Sequence, residues 1–183
     1  MTPPSRDGVV LAIIEALQQA GSWCGETHIQ KTAYFVSQLE RESLDFSFVL
    51  YKHGPFSFEM HDELTVMRVR SLLCLEATFP YGSRLRLTDS AQRWTTENRP
   101  ALSRFASAIS FAAEKLSPHG VATLERLATA LFFTGVSQPE KRVASILAAK
   151  PHISREQANA AVDEVDQILA EWRRSQPKKK KMA

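Results

Sequence analysis

The chain has 183 residues, 44% hydrophobic and 23% charged, enough for one globular domain with a buried core and unlike a disordered segment. Its formal net charge is +3, but Lys178, Lys179, Lys180 and Lys181 carry four positive charges after Pro177, so taking four from three leaves residues 1–177 at −1. The basic balance that would suggest a nucleic-acid-binding body resides in that tail. Apolar runs such as Ala128 to Phe133 fall far short of the roughly 20 residues that span a bilayer.

Arg6 and Asp7 precede a helical pattern without the apolar stretch and small-residue cleavage site of an export signal. Cys24 and Cys74 give no disulfide framework, so a reduced, cytoplasmic protein without a membrane partner is expected.

Val9, Val10, Ile13, Ile14 and Leu17 recur at helical spacing between Asp7, a cap candidate, and Gly21, a stop. Thr27 with Gln30 has the spacing of a capping box and opens a second helix, whose apolar stripe is Ile29, Ala33, Val36 and Leu39, widened by Tyr34 and Phe35. Phe46 to Tyr51 reads as a short strand ending at the turn signal Gly54-Pro55. Ser57 then caps a third helix, running to about Arg70, with Met60, Leu64 and Met67 inward and Phe56 as a staple. Residues 72–77 and 84–88 form a hairpin around Pro80-Tyr81-Gly82-Ser83, and Asp89 with Gln92 starts another helix.

From Pro100 onward the pattern is helical, with starts marked by Ser117-Pro118, Gln138-Pro139 and Ser154. Leu124, Leu127, Leu131 and Phe132 form one apolar face; Ile146 with Leu147, and Val162, Val165, Ile168 and Leu169, supply two more. The expected fold is mainly α with a small β component. A winged-helix-like half (residues 1–98) packs with a C-terminal helical bundle of the same domain (99–176), and a flexible basic tail follows (177–183).

Cys24 and His28 are only two of the four donors a structural zinc needs, and His53, His61, His119 and His152 stand apart from further cysteines, so no metal site is expected. Cys24 with a histidine, or His61 with Glu63, could be brought together for catalysis. No glycine-rich phosphate loop, Gly-x-Ser-x-Gly elbow or His-Glu-x-x-His helix accompanies them. A non-enzymatic protein without a cofactor is expected.

DNA binding is the alternative. A third helix followed by a hairpin is how winged-helix regulators dock, and Arg68, Arg70, Arg84 and Arg86, with Lys178, Lys179, Lys180 and Lys181 as an auxiliary arm, are the candidate phosphate contacts. Glu59, Asp62 and Glu63 on the same helix carry the wrong sign for phosphates.

The stretch Gly25-Glu26-Thr27-His28-Ile29-Gln30-Lys31-Thr32-Ala33-Tyr34-Phe35, with Phe48-Val49-Leu50-Tyr51-Lys52-His53-Gly54-Pro55-Phe56-Ser57, resembles the signature of the Panacea domain. That domain occurs in SocA-like antitoxins and is related to the YwgA-like proteins of bacteria. An Ile/Leu-Gln-Lys-x-x-Tyr segment opens a helix there, and an aromatic strand runs into Tyr-x-x-Gly-Pro-Tyr/Phe-Ser. The resemblance covers about the first half of the chain; the C-terminal turn Lys150-Pro151-His152-Ile153-Ser154 is more similar to the YwgA-like proteins. It implies a non-catalytic module of toxin–antitoxin, phage-defence or mobile-element systems that binds a partner protein, sometimes with a regulatory role at DNA. Tyr51, Lys52, His53 and Phe56, an aromatic and charged group at one turn, are the expected partner contacts.

Overall fold

In the computed structural model, which describes residues 6–78, 82–135 and 138–176, eight helices and two antiparallel hairpins surround one hydrophobic cluster running from Val9 to Trp172. The chain is mainly α with a small β component. Among the described residues no helix is long and apolar enough to cross a membrane. The lysine tail lies outside the described residues.

The second helix, α2 (Glu26–Glu40), is the axis, buried from His28 to Ser37. It contacts α1 (Arg6–Gln19), α5 (Arg99–Leu116), α6 (Val121–Phe132) and the strand β2 (Gly54–Phe56). The stripe of Ile29, Ala33, Val36 and Leu39 is buried as expected, but so are His28, Gln30, Lys31 and Thr32. Polar groups buried in this way need partners within the protein; Gln30 and Lys31 have them, whereas Thr32 Oγ1 and His28 Nδ1 have none among the described residues. The expected capping box of Thr27 and Gln30 does not form: Gly25 is the N-cap and offers no side chain. Gln30 lies beyond the first turn and bonds to the backbone of Ser57 instead.

The first expected strand is shorter and has a partner. β1 (Val49–Tyr51) pairs with β2 in the register Val49↔Phe56, Leu50↔Pro55 and Tyr51↔Gly54, leaving Lys52 and His53 as the turn. Gly54 and Pro55 are therefore strand residues rather than the end of one. Ser57 caps α3 (Phe58–Val69), its hydroxyl accepting from the Met60 N–H at 3.2 Å. Met60, Leu64 and Met67 are buried. Phe56 packs over the ring of His61, the fourth residue of the helix, as a staple should.

The second hairpin joins β3 (Leu73–Thr78) to β4 (Gly82–Leu87), with Pro80 and Tyr81 outside the described residues. Its buried face, Leu73, Leu85 and Leu87, is tied to the body where the Leu85 N–H donates to the Cys24 carbonyl at 3.0 Å and Gln18 donates to the Leu85 carbonyl at 3.1 Å. The two hairpins form separate sheets.

Thr88, not Asp89, caps α4 (Asp89–Glu97), because its hydroxyl is the one that reaches the Ala91 N–H. Ser117 closes α5 and α6 begins after Gly120, so Ser117-Pro118 ends a helix rather than starting one. Helix α7 (Pro139–Ala149) begins with proline after Gln138, and α8 (Arg155–Ser175) carries a complete capping box of Ser154 and Gln157. Phe132, expected on an apolar core face, is exposed. At the far end of α8 the Trp172 indole N–H donates to the Leu39 carbonyl at 3.1 Å, tying the last helix to the axial one.

Candidate functional site: a pinned hairpin with an aromatic face and a basic hollow

A two-stranded hairpin alone is marginal in water, and the β1–β2 hairpin is held by side chains from three directions. Gln30 of α2 donates to the Ser57 carbonyl at 2.9 Å and accepts from its N–H at 3.0 Å. Lys31, only 1% exposed, donates to the Pro55 carbonyl at 2.7 Å. Lys150, the C-cap of α7 and 5% exposed, donates to the carbonyls of Tyr51 and Lys52. The turn itself is met by α6, where Glu125 lies 3.2 Å from His53 Nδ1. The resembling motif thus divides into two halves that bond to each other.

Gly54 lets the hairpin approach α6. Its φ is +88°, and a Cβ there would lie 2.9 Å from Thr129 Oγ1 and 3.2 Å from the Glu125 carbonyl, so neither the conformation nor the space suits another residue.

Directly paired and alternate residues share a face of a hairpin, which puts Val49, Tyr51 and Phe56 together. Phe58, the first residue of α3, completes the group: its ring centroid is 5.3 Å from that of Tyr51 and 5.1 Å from that of Phe56, both edge-on. Tyr51 is 53% and Phe58 52% exposed. Clustered exposed aromatics are unlike the scattered apolar residues of an ordinary surface.

The expected contacts therefore separate. Tyr51 and Phe56 belong to the aromatic face, whereas Lys52 and His53 stand at the turn, beside a hollow of about 240 Å³ that is also lined by Glu125, Arg126, Lys150 and His152. A larger hollow of about 680 Å³ adjoins it, shares Lys52, His53, Lys150 and His152, and extends to Leu50, Tyr51 and Ala149. Burial pushes the Lys31 ammonium down to about 8, with Glu125 pulling it up and Lys150 pressing it further down. Burial also lowers Lys150, against the pull of Glu125.

Phe58, Lys31, Lys150 and Glu125 escape a reading of the sequence for sites. Phe58 resembles a core residue at a helix start, and a lysine in a helical pattern resembles a solvated one. Only the spacing of Gln30 and Lys31 from the Gly-Pro turn in the resembling motif carries a trace of the arrangement.

The arginines proposed for DNA are mostly engaged within the chain. Glu76 clamps Arg84 and Arg86, each at 2.6 Å, and its carboxyl is held down at about 2 by those two hydrogen bonds. Arg70 pairs with Asp7 at 3.0 Å. Arg68 is exposed on α3. Of the acids on that helix, Glu63 pairs with Arg6 at 2.7 Å and Glu59 accepts from the Ser47 N–H at 2.9 Å.

Cys24 is buried, its thiol pushed up to about 12 by burial, which disfavours the thiolate a nucleophile needs. His61 is bonded to Glu26 at 2.8 Å, while Glu63 is engaged by Arg6. Among the described residues no three His, Cys, Asp or Glu side chains are grouped to hold a metal ion.

Compared with models of known protein families the chain matches none, and no curated protein matches it in sequence.

Proposed function

We propose that this protein is a protein-binding module of the antitoxin type, acting in a toxin–antitoxin, phage-defence or mobile-element system, and that a partner protein docks on the aromatic face of the β1–β2 hairpin. The observation that carries this reading is the cluster of Tyr51, Phe56 and Phe58, more than half exposed at two of its three rings. Aromatic anchors dominate the energetics of protein interfaces, and their value rises when they are pre-positioned, because less entropy is lost on docking. The clasps from Gln30, Lys31 and Lys150 supply that rigidity. The resemblance to Panacea and YwgA-like proteins supports the same class of function.

The test is co-expression with the protein encoded beside it, followed by co-purification and a toxicity assay. A stoichiometric complex, and relief of toxicity, are expected from the native chain. Tyr51→Ser with Phe58→Ser should abolish both while leaving the melting temperature nearly unchanged, since both rings are exposed. A complex that survives the double substitution overturns the docking surface; the absence of any complex or relief overturns the reading.

A further inference from the structure

Among the described residues that line it, the hollow at the hairpin turn has an excess of positive charge. Lys52, Arg126 and Lys150 line it, with the imidazoles of His53 and His152, against one carboxylate, Glu125, which is already bonded to His53. Three fixed cations and one carboxylate leave two positive charges. Lys31 adds a further ammonium just behind Gly54, where a Cβ would lie 3.9 Å from its Cε.

Lys150 is not a surface lysine. It is 5% exposed, and its ammonium gives two of its three N–H donors to the carbonyls of Tyr51 and Lys52. The third donor is available to a ligand. Arg126 donates from one nitrogen to Thr123 at 3.0 Å within its own helix, leaving most of its fork uncommitted. Gln157, in the first turn of α8, also lines the hollow; its carbonyl oxygen accepts from the Ser154 N–H, and its amide nitrogen remains to donate. The donors are therefore of the types that recognise a multivalent oxyanion.

We propose that this hollow, between the Lys52-His53 turn, the first half of α6 and the α7–α8 connection, binds a phosphate dianion, carried either as free phosphate or as a small phosphomonoester. At about 240 Å³ the hollow has room for a phosphoryl group. A phosphomonoester carries close to two negative charges at pH 7, which matches the surplus. The organic part of an ester would extend into the adjoining hollow toward Leu50, Tyr51 and Ala149. The phosphoryl hollow contains none of the three rings of the docking face, although the adjoining hollow reaches Tyr51, and its test needs no partner protein.

The experiment is calorimetric titration of the full chain with inorganic phosphate at pH 7, at an ionic strength held constant with chloride, in parallel with the imidazole proton resonances of His53 and His152. Saturable one-to-one binding that moves both imidazoles is expected. Arg126→Gln should weaken it about tenfold, the loss of one charge-assisted donor set. Glu125→Gln should tighten it by a similar factor, because the one opposing carboxylate is gone, and a variant that merely damaged the fold would not bind more tightly. Lys150→Met should weaken binding further, and circular dichroism reports whether the hairpin clasp survives it. Adenosine monophosphate is the second arm: tighter binding than phosphate identifies an ester whose organic part uses the adjoining hollow, and equal binding identifies free phosphate. No saturable binding up to about 10 mM phosphate, or binding indifferent to both Arg126→Gln and Glu125→Gln, overturns the proposal.

Discussion

The side-chain amide of Gln30 and the backbone of Ser57, 27 positions apart, pair reciprocally: the amide nitrogen donates to the Ser57 carbonyl at 2.9 Å and the amide oxygen accepts the Ser57 N–H at 3.0 Å. Both residues are wholly buried, so water cannot replace either bond. The pairing fixes where the hairpin ends and where α3 begins, because Ser57 is also the cap of that helix.

Gln30→Ala should therefore cost about 2–6 kcal/mol, since it leaves a buried donor and a buried acceptor without partners at about 1–3 kcal/mol each. Urea unfolding of the variant measures it. Gln30→Glu keeps the acceptor and loses the donor, and should also bring an unpaired charge into the core. A loss below about 1 kcal/mol in Gln30→Ala would mean that the hairpin end is held by other contacts.

Gly54→Ala probes the approach of the hairpin to α6. A methyl group at φ +88° meets Thr129 Oγ1 at 2.9 Å and the Glu125 carbonyl at 3.2 Å, which should destabilise the fold by at least about 1–2 kcal/mol. Thr129→Ala introduced with it removes the nearer atom and should recover part of the loss, while the backbone strain stays. Amide hydrogen exchange should quicken at Val49 to Phe56 before it quickens at α5, because the hairpin is the element displaced.

How far the sequence reaches is set by where each feature originates. The burial of Met60, Leu64 and Met67 and the capping box at Ser154 follow from spacing along one helix and are legible. So is the β3–β4 hairpin, from two β-like runs around a turn signal, although Gly82 and Ser83, expected in the turn, are paired strand residues. β2 is not, because Gly54-Pro55 reads as a stop. Its pairing depends on Lys31 and α6, which are remote in sequence. Lys31 and Lys150 are the clearest limit: their burial is decided entirely by what packs over them, and no local pattern records it. The clamp of Glu76 on Arg84 and Arg86 lies between these cases. The two arginines share a strand face, but the facing carboxylate emerges only once the register Glu76↔Arg84 is fixed.

That clamp predicts a titration. The Glu76 carboxyl should protonate near 2, well below its usual range, because Arg84 and Arg86 both donate to it. Carbon-13 resonances of the side chain would follow it, and Arg84→Gln with Arg86→Gln should return the midpoint toward ordinary carboxylate values. A folded value depressed below the unfolded one stabilises above the unfolded pKa and loses that contribution as pH falls through about 2. The same clamp bears on DNA. With both arginines engaged, Arg84→Gln should leave the salt dependence of binding to a short duplex unchanged, and Glu76→Gln should increase duplex affinity by releasing them.

Lys31 gives the sharpest test of the pinned hairpin, because its ammonium is buried with a carbonyl and not a carboxylate as its hydrogen-bond acceptor. Burial brings its pKa in the folded protein down to about 8 from an ordinary value of 10.5. Between those two values the unfolded chain binds a proton that the folded chain does not, so folding stability from this group rises with pH across the window. Below about 8 both states are charged and the full cost of burying the ammonium remains. The relief amounts to on the order of 3 kcal/mol across the window. Cys24 and Tyr34, each pushed up to about 12 by burial, oppose this trend in the native protein, because both ionise more readily once unfolded. The difference between Lys31→Met and the native chain cancels them. The stability of Lys31→Met relative to the native protein should therefore decline steadily as pH is raised from about 8 to about 10.5, as read from urea midpoints at each pH. A difference that stays flat across this range would show that Lys31 titrates as a solvated lysine and does not hold the Pro55 carbonyl from within the core.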